Sequence, residues 1–311
     1  MYTYSLYGFI AESNTEFPQL LVCNEPGEAQ ITIDISEGTS LREKYKSILE
    51  EGRINFFTEY GVWFHNQAGD FLVETIGDKT RMVCEKFEDT DVRIARSFLL
   101  GNCIALAMTQ RKKIVLHGST VAMGDKTVLV CGDSGTGKST TSMALLDGGN
   151  KLLADDISVL DVEKDGLVYS YPGFPEQKLC RDAAVDNGFD LDELTYIDED
   201  RDKFSVDRRD IFLTEKRKVD AMVSLHLVRP EGADDEYVNG VRLKLIDGAE
   251  KVNAITSRFF LDWLYGYGLG LAPEEMLKCV SMAGQINIID VTRIKGAETK
   301  KEIVDRILEN I

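Results

Sequence analysis

The chain has 311 residues, 43% of them apolar and 29% charged, so it is long enough to bury a sizeable core in one or two domains. Fifty-three acidic against 36 basic side chains leave a net charge of −17, which argues against a broad nucleic-acid or anionic-membrane surface but not against a local phosphate site. The six cysteines are scattered without metal-ligand spacing, the N-terminus does not read as a signal peptide, and no run of 18 apolar residues occurs. The expectation is a soluble cytoplasmic protein with no nucleic-acid or membrane partner.

Residues 2 to about 85 read as short strands: "YSLYGFIA", "AQITIDIS", "GVWFHN", "DFLVETI" and "TRMVCEK" are β-branched or aromatic and separated by turn residues. One helix interrupts them at "SLREKYKSILEEG", with Ser40 as its cap and Gly52 as its end. The period then changes. Val92, Ile94, Phe98, Leu99, Ile104, Leu106 and Ala107 predict a largely buried helix opened by Asp89, Thr90 or Asp91. On this reading a small β-rich domain covers residues 1–88, and a second domain covers 89–311.

Next, "KIVLHGSTVAM" and "KTVLVCGDS" read as a strand pair joined by the turn Gly124–Lys126. The helix "KSTTSMALLDGG" follows, ended by Gly148 and Gly149, and "KLLADDISVLDVEK" returns to strand. This order predicts an α/β (α+β) core with ligands at the strand ends. Residues 186–218 are strongly charged and read either as a solvated loop or helix face, or as a mobile segment over a phosphate site. Strands "MVSLHLVR", "VRLKLI" and "INIIDVTRI", a helix over "AITSRFFLDWLYG" and a terminal helix "KKEIVDRILENI" complete the chain.

Gly132, Gly137, Lys138 and Ser139 satisfy G-x-x-x-x-G-K-[ST] between an apolar strand and a helix. Glycines permit the tight turn, and successive N–H groups from Gly132, Asp133, Ser134, Gly135, Thr136, Gly137 and Lys138 into Ser139 and Thr140 are placed to cradle phosphate. Lys138 adds a point charge, and Ser139 Oγ is a Mg²⁺ ligand. A chance match in this length is expected on the order of 0.01 times. The implied cofactors are ATP, or another nucleoside triphosphate, and Mg²⁺.

Asp155 and Asp156 end the apolar run that follows the helix. Neighbouring side chains on a strand face opposite ways, so two roles are expected: one carboxylate on the metal, one accepting a hydroxyl proton. His117, at the end of the strand before the loop strand, is placed to reach the same centre, whereas His65 and His226 read as structural.

Taken together, "HGSTVAMGDKTVLVCGDSGTGKSTTSMALLDGGNKLLADD" resembles the catalytic core of the HPr kinase/phosphorylase family, over roughly residues 112 to 162. The resemblance implies a P-loop fold related to phosphoenolpyruvate carboxykinase. It implies His117 assisting near the acceptor, Lys138 on the β- and γ-phosphates, Ser139 on Mg²⁺, Asp155 as the base and Asp156 supporting the metal. The family's C-terminal signature "NIRGLGIIDV" is missing, and "PGFPEQKLCRDA" stands where other sequence would be, which puts HPr as substrate and the phosphorolytic reverse reaction in question.

The chain looks more similar to the branch of HPr-kinase-like proteins encoded beside ribosomal peptide pathways, including lasso-peptide precursor kinases. The shared features are a "Y-x-x-x-G-F" start, an apolar helix before "VLHGS", and "PGFP" followed by a basic "K-L". Lys203 matches a lysine that follows the acidic stretch there, and Lys178 and Arg181 are further candidates for phosphate or substrate contact. The function implied is an ATP- and Mg²⁺-dependent kinase acting on a serine-type hydroxyl of a peptide or protein. The alternatives are a kinase for a free amino acid or sugar, and a nucleotide-binding regulator without transfer. The family resembled forms homo-oligomers; this sequence shows no interface signal of its own.

Overall fold

The computed structural model describes residues 1–197, 202–234, 236–261 and 271–311. Among them the chain is a mixed α/β protein with three sheets, of eight, nine and three strands. The eight-stranded sheet is made of residues 2–86, where alternating apolar residues such as Ile31, Ile33 and Ile35 put one face into the core. Its helical interruption is kinked into Ser40–Lys44 and Lys46–Glu50 at Tyr45. Ser40 is not the cap: it lies inside the first turn and its hydroxyl donates to Glu85. Glu85 also accepts from the Leu41 N–H at 2.7 Å, so a carboxylate from the sheet does the capping.

The helix Val92–Gln110 opens at Asp91, whose carboxylate accepts from the Arg93 N–H, and its middle turn, Leu99–Cys103, is a π-turn. It is long and apolar enough to cross a membrane, but most of it is buried in this chain. Leu99, Cys103, Ile104 and Ala107 join Leu6, Ile31, Phe71 and Met82 of the first sheet, and Ile157 and Val159 of the second, in one hydrophobic cluster. The core therefore runs across the boundary expected near residue 88.

In the nine-stranded sheet, Ile114–Met123 is the organising strand. Its second half pairs antiparallel with Lys126–Gly132 on one side and Lys151–Ala154 on the other, and its first half pairs with Ile157–Val162. Lys126–Gly132 continues into two parallel neighbours, Ala221–Val228 and then Asn287–Ile294. The helix Lys138–Asp147 packs Leu145 and Leu146 against Ile303 and Ile307 of the terminal helix Lys300–Glu309. The C-terminal ends of the three parallel strands and the break between Ala154 and Ile157 thus share one end of the sheet, where α/β proteins collect their ligands.

Two charged or aromatic stretches differ from expectation. Phe204 and Val206 alternate as buried residues, so Lys203–Asp207 is a strand, the centre of the three-stranded sheet with Glu176–Cys180 and Thr195–Ile197. Residues 198–201, the end of the acidic run with Arg201, lie outside the described residues. Helix Glu250–Thr256 is shorter than expected, and at its end Thr256 and Ser257 turn their hydroxyls onto the Val252 and Ala254 carbonyls. Phe260 N–H then bonds to Val115 O, so the aromatic pair expected in a helix lies along the organising strand; residues 262–270 lie outside the described residues.

Candidate active site

The loop from Gly132 to Lys138 connects the strand Lys126–Gly132 to its helix. Gly132, Gly135 and Gly137 have φ of 155°, 81° and 107°. At Gly132 a Cβ would meet the Thr136 hydroxyl at 2.6 Å and the Leu225 carbonyl at 2.7 Å, so only glycine fits this close approach. Thr136 closes the loop by donating to Asp133 O at 2.7 Å. Gly137 caps the helix without any side-chain bond, and a helix's first N–H groups have no intrahelical partner. Ser139 and Thr140 stand half-buried on that first turn. Lys138 folds over the loop, donating to Gly132 O at 2.6 Å and Asp133 O at 3.2 Å; burial pushes its ammonium pKa down, while Asp156 opposes that shift.

Asp155 and Asp156 are not consecutive residues of one strand. They occupy the break between Lys151–Ala154 and Ile157–Val162, where Ile157 N–H bonds to Asp155 O and Asp156 takes φ +64°. This tight three-residue turn costs of order 1 kcal/mol or more for a non-glycine residue. The turn gives the two carboxylates separate surroundings.

Asp155 is almost fully buried, accepting from Ser119 Oγ on one oxygen and from the Lys178 N–H at 2.9 Å on the other. Burial raises its pKa, against those two hydrogen bonds. Asp156 is more open. Its Oδ1 lies 3.4 Å from His117 Nε2 and its Oδ2 3.4 Å from Lys178 Nζ. Burial alone would raise its pKa, but the Lys178 ammonium, the His117 contact and Lys203 together hold it well below the usual carboxylate range. Burial thus pushes one carboxyl's pKa up, while neighbouring cations hold the other's well down.

His117 sits opposite Ile157 in the sheet, its ring edge-on to Phe260, and its backbone N–H donates to Arg258 O. Lys178 touches both carboxylates, one through its backbone N–H and the other through Nζ. Lys203 acts on both electrostatically from the neighbouring strand. Arg181 is turned elsewhere: it pairs with Asp202 at 2.5 Å and lies over the Phe204 ring.

Three further residues belong to this neighbourhood. Buried Arg258 donates to Asp133 of the loop at 2.9 Å and to Ser224 Oγ at 3.0 Å, and lies against His226, which is 2.5 Å from Asp290. Arg293 donates to Thr136 O at 2.7 Å and pins the far side of the loop. Tyr7, from the hairpin turn Tyr7–Gly8 of the first sheet, donates its hydroxyl to Ile157 O at 2.9 Å, directly behind the aspartates. None had a local sequence signal, because each reaches the site from more than 90 residues away in the chain.

As to a metal, no group of three or more His, Cys, Asp or Glu side chains capable of holding an ion occurs among the described residues. The available donors are hard oxygens, the Asp156 carboxylate and the Ser139 hydroxyl. Such a set suits Mg²⁺, which keeps waters and takes one or two protein ligands beside substrate phosphates.

No family model matches the chain. Among solved structures, the HPr(Ser) kinase/phosphatase from Coxiella burnetii is similar at 17% identity, covering 63% of this chain and 94% of that chain with a TM-score of 0.32. So loose an overlap carries no conclusion about what this chain does.

Proposed function

We propose that this chain is an ATP- and Mg²⁺-dependent phosphotransferase of the HPr-kinase-like P-loop type, residues 89–311 forming the kinase domain and residues 1–88 a β-rich accessory domain. Its acceptor is a serine-type hydroxyl of a peptide or protein, and its place is the cytoplasm. The observation that carries the reading is the split carboxylate pair beside the loop: Asp155 buried on the Ser119 hydroxyl and the Lys178 N–H, and Asp156 paired with Lys178 Nζ and His117.

The loop amides from Ser134 to Thr140 and Lys138 would bind the triphosphate, and Ser139 and Asp156 would hold Mg²⁺. The metal, when bound, offsets charge on the β- and γ-phosphate oxygens. The acceptor hydroxyl oxygen bonds to the γ-phosphorus as the bond to the β,γ-bridging oxygen breaks, and ADP leaves. Asp155 takes the hydroxyl proton; its raised pKa brings it nearer the range in which a carboxylate works as a base, and each oxygen keeps a lone pair beyond its one hydrogen bond. His117 orients Asp156 and lies against the transferring group. Lys178 and Lys203 supply positive charge where the phosphoryl passes, a site where preorganised charge is worth most.

The test is transfer of label from γ-labelled ATP to serine-containing acceptors, compared between wild type and Asp155→Asn. Asp155→Asn is expected to bind nucleotide normally and to lose about 10³-fold in transfer. Near-normal turnover in that variant would remove Asp155 from the role of base.

A further inference from the structure

Two arginines grip the phosphate loop from its two sides. Arg293 reaches in from the strand Asn287–Ile294 and donates to the Thr136 and Gly135 carbonyls, at 2.7 and 3.3 Å. Arg258 takes the loop by a side chain instead, donating from Nη1 to the Asp133 carboxylate at 2.9 Å. They differ in what else each residue holds. Arg258 is 7% exposed; its Nε donates to Ser224 Oγ at 3.0 Å, and its Nη2 lies 3.3 Å from the His226 ring. Its backbone carbonyl accepts the His117 N–H at 2.8 Å. The next two residues extend that contact along the same strand. Phe259 bridges to Leu116, the Phe260 N–H donates to Val115 O at 3.0 Å, and the Phe260 ring stands edge-on to the His117 ring. The Arg293 backbone pairs with Leu227 and Val241, on strands that do not adjoin the one carrying His117.

We propose that Arg258 is a positioning residue that ties the phosphate loop to His117, so that nucleotide and histidine keep one fixed relation. The inference rests on the kinase reading above. The link runs through a single residue: the Asp133 carboxylate binds the guanidinium, and the Arg258 carbonyl binds the His117 amide. A guanidinium suits this task because its donors lie in a rigid planar fork, so Asp133, Ser224 and His226 together fix where it sits. A lysine would keep the charge but is a point donor, and it could not hold the three partners in one geometry. Burial makes the link costly to cut, since removing the Asp133 charge strands a buried cation. Slack in the link should reach the chemistry, because a misplacement of about 1 Å can cost about 10²-fold in rate.

The test is a pair of double-mutant cycles on the whole chain. The first reads ADP affinity with Mg²⁺ by calorimetry for Arg258→Lys, Asp133→Asn and the two combined. Each single variant is expected to weaken ADP about tenfold, the loss of one hydrogen bond to a charged group, and the combination no further. The second reads kcat for transfer from γ-labelled ATP, introducing Arg258→Lys into wild type and into His117→Ala. A fall of about tenfold is expected in wild type and none in His117→Ala. A merely structural Arg258 would lower the active fraction alike in both backgrounds. Arg293→Lys is the contrast: it loosens the loop without touching the His117 strand, so its effect on kcat should multiply with that of His117→Ala. Where Arg258→Lys fails to fold, Asp133→Asn replaces it in the second cycle, since it cuts the same link at an exposed side chain. Wild-type ADP affinity in either single variant, additive losses in the first cycle, or equal kcat losses in both backgrounds overturn the proposal. Absence of transfer by wild type sinks the kinase reading instead, and the ADP cycle alone then decides whether Arg258 holds the loop.

Discussion

Two histidine–aspartate pairs of nearly equal length sit in the two large sheets, and they behave in opposite ways. His65 and Asp70 face each other across neighbouring strands at 3.2 Å, with the imidazole beside Trp63 and Phe87. His117 and Asp156 are 3.4 Å apart at a strand break. Burial dominates at Asp70 and raises its pKa despite His65; at Asp156 two lysines and His117 outweigh burial and the pKa falls. The same two residue types therefore make a contact in which the carboxyl pKa is raised in one place and held well down in the other. The decisive difference is the cations around the carboxylate and the backbone turn that exposes it, not the pair itself.

The largest effects should separate the two sheets by activity. Lys138→Ala and Asp155→Asn are each expected to lower phosphoryl transfer by about 10³-fold, and His117→Ala by about 10²-fold in kcat. Asp70→Asn and His65→Ala should leave transfer at the wild-type rate. Steady-state assays on the five variants check this, and a comparable activity loss in His65→Ala would erase the distinction between the pairs.

Stability against pH should separate them by sign. Asp156 has a depressed folded-state pKa, so its ion pairs contribute fully above the unfolded-state value of about 4 and are lost as pH falls through the lower folded value. Asp156→Asn should therefore destabilise at pH 7, by up to about 3 kcal/mol because Lys178 stays buried, and the deficit should shrink in acid. Asp70 has a raised pKa. The folded state holds its proton more tightly, so its ionisation penalty appears as pH rises through the folded value. Asp70→Asn should thus gain about 1 kcal/mol at pH 7 and lose that gain in acid. Urea unfolding at several pH values reads both; equal signs would mean the two carboxylates share one electrostatic setting.

Residues joined by contiguous pattern were legible from the sequence. The phosphate loop is a single run of glycines and Lys138 between apolar strand and helix, and His117 and the aspartates lie within 40 residues of one another. The β-rich start and the buried helix after residue 91 followed from periods of two and of three to four. What stayed hidden depends on topology. Arg258 lay in an apolar stretch that read as helix, and only the early end at Ser257 turns it toward Asp133. The charged stretch around Lys203 read as a solvated loop or helix face, or as a mobile segment, because its polar residues outnumber Phe204 and Val206, the two that make it a strand. Adjacent aspartates were expected to point apart along a strand; they lie instead in a turn, with Asp156 at φ +64°.

The smallest expected effect tests how the first sheet bears on the second. Tyr7 occupies φ +52° in a two-residue hairpin turn, a conformation an aromatic residue adopts at a cost of about 1 kcal/mol. Burying its whole ring contributes about 2 to 3 kcal/mol, so the turn survives on packing. The hydroxyl adds a bond to Ile157 O next to the aspartate turn, and burial near Asp156 and Asp155 raises its pKa, which keeps it a donor. Tyr7→Phe preserves the ring and strands one buried carbonyl, so a loss of about 1 kcal/mol is expected. If the bond only staples two sheets, transfer by Tyr7→Phe should match wild type once the protein is folded. If it fixes the strained turn, kcat should fall a few-fold with acceptor and nucleotide KM unchanged, because Asp155 and Asp156 lose their placement and not their substrates. The structure favours the second outcome, since the accepting carbonyl belongs to the residue whose N–H closes the turn on Asp155.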